Sequence, residues 1–142
     1  MKLKISVVLL LFALIFNQGI AQESEKVFNV VEEMPRFPGC ENMEGTNMEK
    51  KQCADKKMLE YIYKNLKIPK TVKENGIECN CVVSFIIEKD GSISDIKVIR
   101  GVGIFSEEVV RLVENMPTWR AGKHRNQNVR VKIILPVRVN LK

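Results

Sequence analysis

The clearest pattern in the chain lies near its C-terminus, where apolar and polar residues alternate. Every second position is apolar, at Val129, Val131, Ile133, Leu135, Val137, Val139 and Leu141. Such alternation is typical of a strand with one buried face. The other face carries Arg130, Lys132, Ile134, Pro136, Arg138 and Asn140. Because Pro136 cannot donate a backbone hydrogen bond, we expect at least part of this strand to lie at a sheet edge.

A second alternation predicts a hairpin in the middle of the chain. Its apolar set is Cys79, Cys81, Val83, Phe85 and Ile87. The Asp90-Gly91 pair follows, and an Asp-Gly pair between two β-rich runs is a strong hairpin signal. Residues 93–100 should therefore return as the antiparallel partner. Residues 27–31 are short, β-branched and bounded by charge, which also favours a strand.

Two other stretches have helical spacing. The first is capped by Asp55 and limited by Pro69, and its apolar face holds Met58, Leu59, Ile62 and Leu66. Residues 70–75 suggest a further short turn ending at Gly76. The second helix opens at Ser106 and stops at Pro117, with a stripe of Val109, Leu112, Val113 and Met116. Together these elements predict one small α+β domain.

The first 21 residues differ from the rest and read as a secretion signal. Lys2 and Lys4 precede an apolar run over residues 5–16, and small residues stand before a cleavage position after Ala21. We therefore expect an exported protein, with residues 22–33 as an N-terminal extension. An uncleaved membrane anchor is the alternative, although the run is shorter than the roughly 20 apolar residues that span a bilayer. Membrane contact is expected only in that case.

The charge balance is mild. The chain has 23 Lys and Arg against 17 Asp and Glu, a formal net charge of +6, and the expected cleavage removes two of the lysines. Nucleic-acid binding would need a more concentrated basic face, so we exclude that class of partner. A basic group toward the C-terminus either steers an acidic partner or forms a hydrated surface; it comprises Arg120, Lys123, Arg125, Arg130, Lys132 and Arg138.

The four cysteines raise the expectation of disulfides in an exported chain, and four thiols allow three full connectivities. Cys40 and Cys53 flank a polar stretch that could not order itself by burial, so we favour a bridge between them. Cys79 and Cys81 share one strand face and cannot easily bridge each other, which favours packed thiols over redox chemistry. A zinc site that combines them with His124 lacks recognisable ligand spacing.

Catalytic chemistry finds little support. His124 is the only histidine and sits in a polar loop, where we expect it to be solvated. No nucleophile elbow, phosphate-binding glycine loop or telling pair of carboxylates is present. The sequence therefore predicts a non-enzyme with no catalytic residues, no metal and no cofactor. Trp119 is expected to close the core beneath the second helix.

The order of these features resembles the C-terminal domain of the TonB family, the bacterial energy transducers. The matching residues are Pro69, Asn75-Gly76-Ile77-Glu78, the run 82–93, Met116-Pro117, Trp119, Gly122 and the strand 129–139 with Pro136; Met34-Pro35-Arg36-Phe37-Pro38-Gly39 resembles the lead-in of one branch. Ala121 departs from the family's usual proline, and Cys79 and Cys81 replace a small residue and a valine. The resemblance spans residues 34–142, which we take as the domain.

The resemblance implies a small antiparallel sheet of about three strands with two helices packed on one face. It also implies a periplasmic module that receives an extended peptide of an outer-membrane TonB-dependent transporter as an added strand. The expected partner-binding edge is Val129, Arg130, Val131, Lys132, Ile133, Ile134 and Leu135. The alternative is an envelope assembly domain that forms a homodimer through the same edge. With a cleavable signal and no proline-rich spacer, we expect binding without energy transduction.

Overall fold

A computed structural model describes residues 26–76, 78–101 and 103–140 of the chain. The predicted signal and its cleavage position lie outside these residues. The helices are α1 (Asn47–Asn65), α2 (Lys70–Asn75) and α3 (Gly103–Glu114). The strands are β1 (Val27–Phe28), β2 (Cys79–Ile87), β3 (Ile93–Arg100), β4 (Gly122–His124) and β5 (Gln127–Val139). The α+β class is confirmed.

One sheet organises the domain, in the order β1-β5-β2-β3, and β4 pairs with β5 as a hairpin. The long strand β5 runs antiparallel to β2 in an unbroken register from Cys79↔Val139 to Ile87↔Val131. The expectation of about three strands covered only β2, β3 and β5. The small strands β1 and β4 complete the described sheet, and β1 is parallel to β5. The sheet is therefore mixed rather than purely antiparallel.

The core lies between the helices and one face of the sheet. The described residues of both predicted strand faces point into it, and so does the α3 stripe, because these positions repeat with the period of their element. Fully buried members include Val83, Phe85, Ile87, Val109, Val113 and Val131. Trp119 closes this core as predicted, with its ring edge-on to Phe37 at 5.6 Å and to Phe85 at 5.9 Å.

The β2–β3 hairpin is held at its tip by the predicted Asp-Gly turn. The carboxylate of Asp90 accepts hydrogen bonds from the backbone and the hydroxyl of Ser92. Gly91 has φ +84°, a region that glycine enters without steric cost. A Cβ there would lie 1.9 Å from the carbonyl oxygen of Trp119, whose N–H donates to Gly91. The turn thereby anchors the chain that enters the β4–β5 hairpin.

Both main helices begin earlier than predicted. α1 starts at Asn47, not after Asp55, because Thr46 and Glu49 form a capping box in which each satisfies the other's backbone N–H. Asp55 instead pairs with Lys51 one turn before it. α3 starts at Gly103 rather than at Ser106. The predicted strand over residues 27–31 is limited to Val27–Phe28.

The apolar face of α1 is only partly buried. Ile62 is buried and Met58 and Leu66 pack against the core, but Leu59 remains 46% exposed. Within the described ranges, no helix has the length and apolar character needed to cross a bilayer.

Candidate peptide-binding site

β5 divides into a part near its start that pairs with small strands and a part whose outer side, away from β2, is open. β4 pairs with residues 127–129 as a hairpin, and β1 pairs with Arg130 and Val131 on the outer side. Of the expected binding edge, Val129, Arg130 and Val131 are therefore already covered by the chain's own strands. Beyond them, no strand of the described chain pairs with the outer side of residues 132–136. We call Lys132–Pro136 the open stretch.

Tyr63 of α1 marks the far end of the open stretch. Its hydroxyl donates to the carbonyl oxygen of Arg138 at 3.2 Å, so this backbone acceptor is occupied. Peptide groups of alternate residues point to the same side of a strand. The carbonyl groups of residues 132, 134 and 136 therefore point, like that of Arg138, toward the side where α1 lies. They are placed to accept hydrogen bonds from another strand.

A groove of about 510 Å³ runs beside the open stretch. All five residues of the open stretch line it, together with residues from α1 and from the segment before it. The remaining lining residues are Asn29, Met34, Pro35, Lys51, Asp55, Met58, Leu59 and Trp119. Apolar side chains dominate this lining. Of its three charged residues, Lys51 and Asp55 form an ion pair with each other, and the third is Lys132 of the open stretch.

The segment of residues 31–41, which includes the motif of residues 34–39 and which we call the lead-in from here on, forms the near wall of the groove. It is fixed by backbone pairing. Glu33 exchanges two backbone hydrogen bonds with Lys123, and Arg36 exchanges two with Arg120, all between 2.8 and 3.1 Å. Val31 and Phe37 bury their side chains on either side of this pairing. The lead-in therefore behaves as a short extension of the β4 hairpin, although it carries only isolated bridges.

Two arginines and two glutamates form an ion-pair network that fixes the lead-in, and Arg120 joins this network to the rest of the domain. Arg36, only 3% exposed, forms a bidentate pair with Glu41 at 2.7 and 2.8 Å. Arg120 reaches Glu33 at 3.0 Å and Glu41 at 3.2 Å. The hydrogen bond from Arg120 lowers the pKa of Glu33, and that from Arg36 lowers the pKa of Glu41, each more than burial raises it. Both glutamates are thus held as carboxylates.

The predicted disulfide is present and ties the lead-in to α1. Cys40 and Cys53 are bridged with their Cα atoms 6.0 Å apart. Cys40 is buried, while Cys53 lies on the second turn of α1. The bridge therefore couples the two walls of the groove, since the lead-in carries Met34 and Pro35 and α1 carries Met58 and Leu59.

The other predicted residues play structural parts. Cys81 is buried in the core and Cys79 packs against it, as the packed-thiol interpretation expects. His124 is not a solvated loop residue: it lies in β4, one third exposed, with its ring 5.3 Å from that of Phe28. Across the described residues, no group of three or more His, Cys, Asp or Glu is arranged to hold a metal ion.

Three of the six residues of the predicted basic group form ion pairs with neighbouring carboxylates. Besides the pairs of Arg120, Arg130 contacts Glu88 at 2.7 Å and Arg138 approaches Glu78 at 3.6 Å. Within the described chain, Lys132 forms no ion pair and is exposed in the open stretch. The open stretch therefore carries a single positive charge, that of Lys132, rather than a broad basic surface.

The residues that sequence reasoning missed are those of the groove's outer wall. Met58 and Leu59 were assigned to the apolar face of a helix, and no role was predicted for Tyr63. The only available signal was the width of the apolar stripe on α1, which exceeds what one sheet face can cover. No sequence pattern indicated that Asn29 and Met34 would line a groove.

The fold and the open edge define a class of protein: a small α+β domain that presents one regular strand for pairing. Comparison of the sequence with known protein families identifies the family. Residues 64–141 match the family described as the Gram-negative bacterial TonB protein C-terminal, and the chain belongs to it. This is a family of periplasmic binding domains, not of enzymes, and in TonB the domain binds outer-membrane transporters.

Solved structures of the same domain are also similar to the chain. A solution structure of the Helicobacter pylori TonB C-terminal domain is 24% identical, with a TM-score of 0.45, and the match covers 71% of this chain and 88% of that one. A shorter version of that domain is 27% identical, with a TM-score of 0.43, over 61% of this chain and 92% of that one. No curated protein matches the chain.

Proposed function

We propose that the protein is a periplasmic binding module that captures an extended segment of a TonB-dependent outer-membrane transporter. The segment adds as a strand to the open stretch of β5. Membership in the TonB C-terminal family supports the class of partner, and the export signal expected in residues 1–21 supports the location.

One observation carries the proposal: the open stretch is a regular strand edge with a defined beginning and end. β1 closes the edge at Val131, and the hydroxyl of Tyr63 occupies the acceptor at Arg138. Between these limits β5 keeps an unbroken register with β2, so its outer peptide groups lie in line. An unpaired, regular edge is a template for strand addition.

The backbone of the open stretch sets both the length and the strength of binding. Ile134 can donate and accept, whereas Pro136 can only accept. The complementary segment is therefore about five residues long. A hydrogen bond contributes only about 1 kcal/mol net, so backbone pairing alone gives weak binding. Side chains must supply the rest of the affinity.

A titration followed by NMR tests the proposal. A synthetic peptide carrying the TonB box of a TonB-dependent transporter is added to the isotope-labelled protein. We expect amide shift changes concentrated at residues 132–136, with smaller changes at β1 and Tyr63. Absence of any shift at millimolar peptide would contradict the proposal.

Methylation of the peptide backbone makes the test specific for strand pairing. Single N-methyl groups are placed at successive peptide positions, which leaves the protein unchanged. We expect binding to be lost at every second position, because only alternate N–H groups of an added strand face β5. Equal effects at all positions would show that the peptide binds in another way.

Sedimentation of the same samples separates the alternative of an assembly domain. Dimerisation through the open stretch predicts a concentration-dependent mass that falls when peptide is added. Our proposal predicts a monomer with and without the peptide.

A further inference from the structure

We infer that the segment before the matched domain, residues 26–63, selects the partner: it adds an apolar wall that favours segments with apolar residues at two alternate positions. The inference rests on the proposed function and extends it to the side chains of the partner. Residues 26–63 lie outside the family match, which begins at residue 64. They nevertheless supply seven groove-lining residues: Asn29, Met34, Pro35, Lys51, Asp55, Met58 and Leu59.

The position of the groove determines which partner side chains enter it. In an added strand, successive side chains point to opposite faces of the sheet. Those on the helix face would continue the layer of Ile133 and Leu135, which both line the groove. Every second side chain of the partner therefore enters the groove, and a five-residue segment places two or three there.

The chemistry of the wall favours apolar side chains. Met34 and Met58 are unbranched thioethers that adapt to different shapes, and Leu59 stays exposed until a partner covers it. The two charged lining residues of this wall, Lys51 and Asp55, neutralise each other. A charged partner side chain packed against this wall would lose water without gaining an unpaired opposite charge from the wall, which disfavours its binding there.

The wall is also built before the partner arrives. The disulfide joins the lead-in to α1, Arg36 and Arg120 hold the lead-in through Glu41 and Glu33, and the capping box fixes the start of α1. A preorganised groove avoids the cost of ordering its own side chains on binding. The position of β1 supports an added strand as the occupant of the groove, because β1 already pairs with β5 directly before the open stretch.

Two matched peptides test the inference. One is an acetylated threonine heptapeptide with leucine at its third and fifth positions, and the other has serine at both. Trp119 lines the groove and is the only tryptophan, so its fluorescence reports occupancy. We expect the leucine peptide to bind at least about tenfold more tightly, since each leucine transfers apolar surface from water.

Variants locate the preference on the wall. Leu59→Lys should reduce the preference for leucine to within about twofold while leaving the serine peptide unaffected. Ile99→Lys on β3 changes a residue of similar exposure outside the groove and should keep the full preference. Circular dichroism of each variant confirms folding, and methyl shifts of Met34 and Met58 in the unmodified protein report contact directly.

The outcomes separate the inference from the proposed function. If both peptides bind at residues 132–136 with equal affinity, or if Leu59→Lys keeps the preference and the methionine methyl groups do not shift, the inference is wrong and strand addition stands. If neither these peptides nor the TonB-box peptide binds at residues 132–136, the proposed function itself fails.

Discussion

The two open edges of the main sheet, β3 and the open stretch of β5, expose apolar side chains to a similar extent but differ in regularity. Ile99 on β3 is 56% exposed and Ile134 on β5 is 61% exposed. The ladder of β3 with β2 is interrupted twice, and Asp95 has a positive φ of 49°. β5 has no interruption along β2. Irregular, charged edges resist further pairing, so regularity of the backbone, more than exposure, favours β5 for strand addition.

The surfaces beside the two edges differ as well. A groove of about 500 Å³ lies between the end of β3 and α3, and Glu107, Arg111 and Glu114 line it. Its charged side chains suit water better than an apolar partner. The groove at β5 is built mainly from apolar side chains and is walled by a disulfide-bonded segment. The two edges therefore differ in both backbone and side-chain chemistry.

Removal of the disulfide should have the largest effect and should act on the β5 side. We expect Cys40→Ala with Cys53→Ala to lower the free energy of unfolding by about 3 kcal/mol, the chain-entropy value for a loop of this size. Denaturant unfolding measures the loss. Hydrogen exchange should accelerate at residues 47–53 relative to β3. Equal acceleration in β3 would show that the bridge stabilises the whole domain rather than one edge.

Gly91→Ala tests how firmly the β3 side is anchored to Trp119. The new Cβ meets the Trp119 carbonyl oxygen, so we expect a loss of about 2 to 3 kcal/mol from backbone strain and overpacking. Gly76→Ala is the matched control: Gly76 also has a positive φ, but nothing lies within 4 Å of its added Cβ. That variant should lose only about 1 kcal/mol. If both variants lose the same free energy of unfolding in thermal denaturation, the contact with Trp119 does not contribute to the loss.

Acid should produce the smallest effect, again on the β5 side. The folded-state pKa of Glu33 and of Glu41 is lowered by the arginine hydrogen bonds, so their stabilisation is complete above the ordinary glutamate pKa of about 4.3. It is lost as the pH falls through the lowered folded values. We expect a loss below about 1 kcal/mol for each pair, because the two carboxylates remain partly exposed to solvent.

A double variant isolates this acid effect. Glu33→Gln with Glu41→Gln should unfold with a shallower pH dependence below pH 5 than the unmodified chain. If the two proteins lose stability in parallel over this range, other carboxylates are responsible.

Sequence patterns predicted the parts of this comparison that depend on local periodicity. β2 and β5 lie where alternation placed them, β3 lies where the Asp-Gly pair placed it, and the α3 stripe of Val109, Leu112 and Val113 is buried. The disulfide was also predicted, because the polar stretch between Cys40 and Cys53 needed a covalent reason to be ordered. The start of α1 was not predicted. The capping box at Thr46 lies within that polar stretch, which has no apolar periodicity that would indicate a helix.

The small strands could not be predicted in the same way. β1 has two residues and β4 has three, too few for a period to show, and both exist because β5 offers them an edge. For the same reason the sequence indicated an edge over residues 129–135 but not which part of it the chain itself covers. Likewise, Leu59 was expected to be buried, because a helical stripe does not show how wide the facing surface is.

By itself, the sequence determined the class of fold, the long edge strand, the disulfide pair and the resemblance to a binding family, because each depends on residue type and spacing along the chain. Only the tertiary structure decided where the open edge begins and ends and which side chains wall it. Those features depend on β1, Tyr63 and the disulfide-bonded lead-in meeting β5 from distant parts of the sequence. Contacts between residues that are far apart in the sequence leave no local sequence pattern, and they form only when the chain packs into its tertiary structure.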